Sequence, residues 1–278
     1  MTSPTTAAPQ SGTASARQPV LFMPHGGGPC FFMDWPDTWD HMAAYLRGIA
    51  ATLPQRPNAI LAVSGHWETA VPTVTSATHP PLIYDYYGFP AHTYRLRYPA
   101  PGSPELAARV RTLLSAAGIE NEEDPTRGFD HGVFIPFMLA FAHADIPIVE
   151  LSLRRDMNAE YEMQVGAALR PLRDENVLIA TTGMTYHNLA HFMTPDPASD
   201  AAARAFDTWL TQTMEAPPAQ RDEALLHWNR APGALQCHPR PEHLLPLMVA
   251  AGAAGQDPGH RDYTDTIMGK ALSGFRFG

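Results

Sequence analysis

The chain is poor in cysteine: Cys30 and Cys237 are its only two in 278 residues. That is too few for a disulfide framework, and they form no metal-binding pair. The pattern suits buried free thiols in a reducing compartment. No apolar run reaches the length of a membrane span, and no basic segment followed by an apolar stretch opens the chain. Positive charge is also short. The 19 Lys and Arg stand against 28 Asp and Glu, a formal net charge of -9 without a basic cluster, which argues against nucleic acid as a partner. The expectation is a cytoplasmic protein with neither a membrane nor a nucleic-acid partner. Also missing are the H-E-x-x-H helix of zinc proteases, a G-x-S-x-G elbow, a Walker loop, a G-x-G-x-x-G fingerprint and any long internal repeat.

What the chain does have is 28 prolines and 13 histidines, hence many stiff loops and a supply of ligands or acid/base groups. Residues 1–18 are rich in Ser, Thr, Ala and Pro without hydrophobic periodicity, and read as a disordered tail before a single domain over 19–278. Val20–Met23, Ala59–Ser64, Ile146–Leu151 and Val177–Thr182 read as buried strands. Helical spacing predicts helices over Asp37–Ala51, from Ser103-Pro104 to Gly118, over Val133–Ala142, Asn158–Leu172 and Asp200–Met214. Residues 215–236 carry no clear pattern, and Pro241 is expected near a helix start with Glu242 and His243 in its first turn. The alternation predicts an α/β fold, a central mostly parallel or mixed sheet flanked by helices.

His25 follows the first strand in Pro24-His25-Gly26-Gly27-Gly28-Pro29, His66 follows the second in Ser64-Gly65-His66-Trp67, and His187 follows a later one in the loop after Gly183. One loop histidine is more often a surface residue than a ligand. Three in the same structural slot reverse that expectation, because the strand ends of such a sheet open on one crevice. A metal site is therefore expected at the C-terminal edge of the strands. Histidines with an added carboxylate or third imidazole suit non-haem Fe(II) or catalytic Zn(II), and composition does not choose between them.

Several segments together carry a family resemblance. Pro24–Pro29, Ser64–Trp67, Gly88-Phe89-Pro90, Tyr98–Pro104, Gly128-Phe129-Asp130-His131-Gly132, His187-Asn188-Leu189 and Pro241-Glu242-His243, in this order from about Val20 to Ala251, resemble the class III (LigB-type) extradiol ring-cleavage dioxygenases, in particular their DOPA-dioxygenase-like branch. The resemblance implies a non-haem Fe(II) enzyme that opens a substituted catechol, DOPA-like or a phenylpropanoid, with O2, giving a muconic semialdehyde; Zn(II) could replace iron on purification. It implies His25 and His66 as metal ligands, with the third in the Pro241-Glu242-His243 segment, where this branch points to His243. Adjacent helical residues diverge by about 100°, so Glu242 is expected outside the metal's ligand set. By the same resemblance His187 is the acid/base and His131 the second active-site histidine.

Trp67 and Tyr186 are candidates for the substrate wall, and Gly27 for a low wall beside the metal that admits a flat ring. Arg95, Arg97, Arg127 and Arg240 are each able to hold a substrate carboxylate. The other histidines read as structural or exposed, with His238 in reserve as a ligand. Two alternatives share these residues: a Memo-like metal-binding interaction or redox protein, and a zinc hydrolase that activates water with the same imidazoles.

Overall fold

A computed structural model describes residues 17–278. The expected tail lies outside the described residues except for Arg17 and Gln18. Gln18 is fully buried, with its side chain donating to the Gln55 carbonyl and the Asn176 side chain, so order begins before the first strand.

In chain order the elements are β1 (Val20–Pro24), α1 (Asp40–Thr52), β2 (Ala59–Thr69), β3 (Thr73–Thr75), α2 (Pro104–Ala116), β4 (Glu122–Asp124), α3 (His131–Ala140), β5 (Ile148–Arg154) and α4 (Ala159–Leu169). There follow β6 (Val177–Gly183), α5 (Leu189–Phe192), α6 (Pro197–Met214), α7 (Pro218–Leu226), α8 (Ala234–Cys237), α9 (Leu245–Ala254), β7 (Gly259–Ile267) and β8 (Lys270–Phe277). One eight-stranded mixed sheet has the order β4-β3-β5-β2-β6-β1-β8-β7. Its centre, β5-β2-β6-β1, is parallel throughout. The three strands β1, β5 and β6 are buried almost end to end, because parallel strands are covered on both faces and read as continuous apolar runs. Helix α9 packs on β1, β2 and β6 with α4 against it, while α3 packs on β2 and β6 with α1 against it.

Local chemistry sets the helix ends. Ser103 caps α2 by accepting the Leu106 N–H at 3.1 Å, with Pro104 at the first helical position, and Asn158 caps α4 through the Tyr161 N–H. Residues 215–236, without a readable pattern, hold the short helix α7 and all of α8 but its last residue. The β7–β8 hairpin turns at Met268 and Gly269, both with positive φ (50° and 83°), as a two-residue hairpin turn requires.

Two departures from expectation bear on the crevice. The helix near Pro241 begins only at Leu245, and Glu242 and His243 occupy the turn before it. His66 lies within β2 rather than after it. Between Val63 and Glu68 the strand breaks register, so that the four residues Ser64 to Trp67 of β2 stand against the single Ser152 of β5, between Leu151 and Leu153. A bulge of this kind re-aims side chains at a sheet's rim.

Candidate metal centre

Three imidazoles meet at the C-terminal edge of the parallel strands. His25 directly follows β1, His66 sits in the bulge of β2, and His243 sits in the turn before α9. Glycines let that turn press onto the sheet edge. A Cβ on Gly65 would lie 2.8 Å from the Glu242 carbonyl oxygen, and one on Gly183 would lie 2.2 Å from that of His243. The turn is also pinned by the Met184 N–H, which donates to the His243 carbonyl.

The three side chains offer ligand atoms that lie within 4.8 Å of one another. His25 Nδ1 is 2.8 Å from the Gly26 carbonyl oxygen. A carbonyl only accepts, so Nδ1 carries the proton and Nε2 is bare; that Nε2 is buried without a partner. His243 Nδ1 is likewise engaged, 2.9 Å from Glu242 Oε1, and its Nε2 lies 3.2 Å from His66 Nε2. With His66 Nδ1 turned to Asp85 Oδ2, 3.5 Å away, the two facing Nε2 atoms are placed to share one cation. Burial first, then the neighbouring imidazoles, hold His25, His66 and His243 well below the usual histidine range. All three are therefore neutral, the form that ligates a metal.

Two carboxylates organise the ring of histidines around this point. Asp85 Oδ1 lies 2.8 Å from His131 Nδ1, and Oδ2 lies 3.5 Å from His66 Nδ1. Burial works to raise the pKa of Asp85, but the hydrogen bonds it accepts from the His131 ring and backbone N–H, with the His66 imidazole beside it, outweigh burial and bring it down to about 2. Glu242 Oε1 takes His187 Nδ1 at 3.0 Å as well as His243. There too burial is outweighed, chiefly by the His187 hydrogen bond, and the carboxyl stays below its ordinary range. Each carboxylate thus holds one imidazole of the central trio and one outside it. His187 and His243 stack, with ring centroids 3.3 Å apart. His131 opens α3, and Ser64 ties that corner together by donating to Asp130 and accepting the His66 N–H.

These groups face a cavity of about 640 Å³. His25, His66, His131, His187, His243 and Gly27, all singled out in the sequence, line it. Trp67 and Tyr186 do not. Trp67 is buried beneath the Arg127 guanidinium, 4.4 Å away, because alternation along β2 turns it from the side His66 takes. Tyr186 is wholly buried and rests against Phe192. The aromatic wall comes instead from Trp35, Trp39, Tyr86, Tyr87, Phe89 and Phe192. His238 turns its Nε2 to the Thr185 carbonyl, 3.1 Å away, outside the cluster. Asp85 was not singled out in the sequence; its signal is a lone acid inside the aromatic run Tyr84–Tyr87.

The buried bare Nε2 of His25 and the facing Nε2 atoms of His66 and His243 fit a metal ion. The family described as the catalytic LigB subunit of aromatic ring-opening dioxygenase matches residues 21–273. The chain is 37% identical to a dioxygenase, tasH, of Hapsidospora irregularis over 96% of this chain and 88% of that protein. It is 42% identical to a 4,5-DOPA dioxygenase extradiol of Beta vulgaris over 73% and 75%, and 33% identical to one of Escherichia coli K12 over 88% and 89%. A crystal structure of an uncharacterized protein from Escherichia coli K12 superposes with a TM-score of 0.77 at 30% identity, covering 94% of this chain and all of that one.

Proposed function

The chain belongs to the LigB family of aromatic ring-opening dioxygenases and is an extradiol ring-cleavage enzyme, and on that premise we propose that it works with Fe(II) on a substituted catechol. Three neutral imidazoles whose ligand atoms lie within 4.8 Å of one another on the wall of a cavity, flanked by two carboxylate-held histidines, carry this proposal. His25, His66 and His243 would hold the metal. Neutral imidazoles suit both Fe(II) and Zn(II), but a reaction with dioxygen favours iron because zinc has no redox chemistry. Fe(II) bound there would supply a Lewis acid for the two catechol oxygens and the electron exchange that lets dioxygen combine with the ring.

The chain's own residues would bind, orient and move protons. With Nδ1–H tied to Glu242, His187 presents Nε2 to the cavity, where it takes the proton a catechol hydroxyl gives up and returns one as the ring opens. His131, oriented by Asp85, would hydrogen-bond the substrate from the other side. Gly27 leaves space where a side chain would narrow the approach of a flat ring. Both atoms of O2 enter the product and the carbon–carbon bond beside the diol breaks, giving a muconic semialdehyde with no external reductant. Residues 19–278 would act as one catalytic unit, and the two buried free thiols suit the cytoplasm. The test is anaerobic reconstitution of metal-free protein with Fe(II), addition of small catechols and admission of air. Oxygen uptake with a yellow product is expected; no such product from any catechol would sink the proposal.

A further inference from the structure

We propose that the group attached to the catechol ring is neutral and apolar, and that Glu68 enforces this by occupying the cavity's guanidinium; the inference rests on the ring-cleavage reading above. Arg240 is the one Lys or Arg among the described residues that line the cavity. Its fork meets the fork of Glu68, with Nη1 2.6 Å from Oε1 and Nη2 2.5 Å from Oε2, while Glu242 Oε2 stands 3.5 Å from Nη1. A bidentate pair of this kind already fulfils the geometry a substrate carboxylate would use. The other arginines that could hold an acid are elsewhere. Arg127 is bonded to Asp130 and lies over Trp67, and Arg95 and Arg97 do not line the cavity.

Among the described residues the cavity therefore presents three carboxylates, Glu68, Asp85 and Glu242, and no free cation. An acidic substituent would meet like charge and would have to displace Glu68. An ammonium would find Glu68 held by Arg240 and Oε1 of Glu242 held by His187 and His243, and the oxygen left over, Glu242 Oε2, stands 3.5 Å from the Arg240 guanidinium, so a cationic group reaching it would meet like charge. The outer wall offers the opposite chemistry, with Trp35, Phe89 and Phe192 inside and Tyr87, Leu189 and Met193 at the mouth. Those last three are 92%, 72% and 59% exposed, and they are three of the four large exposed hydrophobic side chains among the described residues. Exposed apolar groups concentrated at one opening mark a surface that something apolar covers. A ring seated on the histidines and carrying an alkyl or aryl group toward the mouth would cover them.

The test uses iron-loaded enzyme with 4-methyl-, 4-butyl- and 4-phenylcatechol against L-DOPA, dopamine and 3,4-dihydroxyphenylacetate. Quenching of tryptophan fluorescence without air gives dissociation constants in parallel, since Trp35 and Trp39 line the cavity. Expected is a kcat/KM at least about tenfold higher for the larger apolar catechols than for every charged one, with binding in the same order. In Glu68→Gln, which removes the charge that neutralises Arg240 and breaks the bidentate pair, the ratio of kcat/KM for the acid to that for the apolar catechol should rise about tenfold. Charged catechols bound and cleaved as well as apolar ones would overturn the inference, and an unchanged ratio in Glu68→Gln would remove Glu68 from it. If no catechol is cleaved, the ring-cleavage reading falls, while the fluorescence order still decides whether the cavity prefers apolar rings.

Discussion

His187 and His243 hydrogen-bond the same oxygen of Glu242 and stack face to face, yet their other nitrogens have different surroundings. Only His243 aims its Nε2 at His66. The expectation is a clean split between two variants. His243→Ala should lose the metal, read as metal per protein after desalting, and with it all turnover. His187→Ala should keep its metal while kcat falls by roughly 10²–10⁴, the usual worth of a positioned acid/base; loss of metal in both would assign His187 to the ligand set. Among the glycines after His25, Gly26 and Gly28 adopt positive φ, but Gly27 does not, and a Cβ there would stand an ordinary 3.6 Å from Trp39. Gly27→Val should therefore fold, bind metal normally and raise KM for catechols; equal losses of metal and substrate binding would show that the loop only supports His25. His25 and His66 were legible as glycine-flanked histidines at strand ends and His187 as the histidine in the loop after a third strand, whereas His131 and His243 were marked out by the family resemblance. Asp85 was not, since a lone acid in an aromatic stretch reads as ordinary loop until the chain is seen to fold it against His66 and His131.

At the level of elements, the strand and helix runs could be read from periodicity, whereas the features that aim side chains could not. The bulge in β2 leaves no mark in the apolar run Ala59–Val63, yet it carries His66 into the cavity. The turn at Glu242 and His243 resembled a first helical turn because Pro241 suits either, and contact with Gly65 and Gly183 decides the matter. Helix α4 holds a further consequence. Glu162 is buried, with Oε1 accepting the Arg154 N–H at 2.7 Å and Oε2 unpartnered. Burial, against the opposing pull of that hydrogen bond and the Arg154 charge, raises its pKa to about 7. A carboxyl whose folded pKa exceeds its unfolded one favours the fold below the unfolded value and loses that advantage as pH rises through the folded one. Stability should therefore decline between about pH 4.5 and 7, by up to about 3 kcal/mol from this group. Glu162→Gln, whose amide oxygen can still accept the Arg154 N–H, should flatten that part of the profile in urea melts, while parallel profiles would count against the assignment.

Across the whole molecule, the parallel centre of the sheet was visible in the sequence as four buried apolar runs, and the histidine slots followed from it. The strand order, with β6 between β1 and β2, was not visible, because pairing between distant segments leaves no local signature. That order brings the elements bearing His25 and His66 to either side of Gly183, on which His243 rests. Backbone contacts seat loop, bulge and turn on the sheet edge, and at the trio itself the three meet through facing imidazoles, with His66 and His243 177 residues apart in the chain. A metal that binds this arrangement and not the unfolded chain stabilises the whole fold by linkage. At a free concentration one hundred times its dissociation constant, the gain is about 2.7 kcal/mol. For a chain of this size that corresponds to a rise in Tm of roughly 5–10 °C. Stripping the metal under argon should lower Tm by that amount, and restoring Fe(II) should return it in wild type but not in His243→Ala. Equal melting temperatures for stripped and loaded wild-type protein would mean that the sheet edge holds the three segments together without help from the ion.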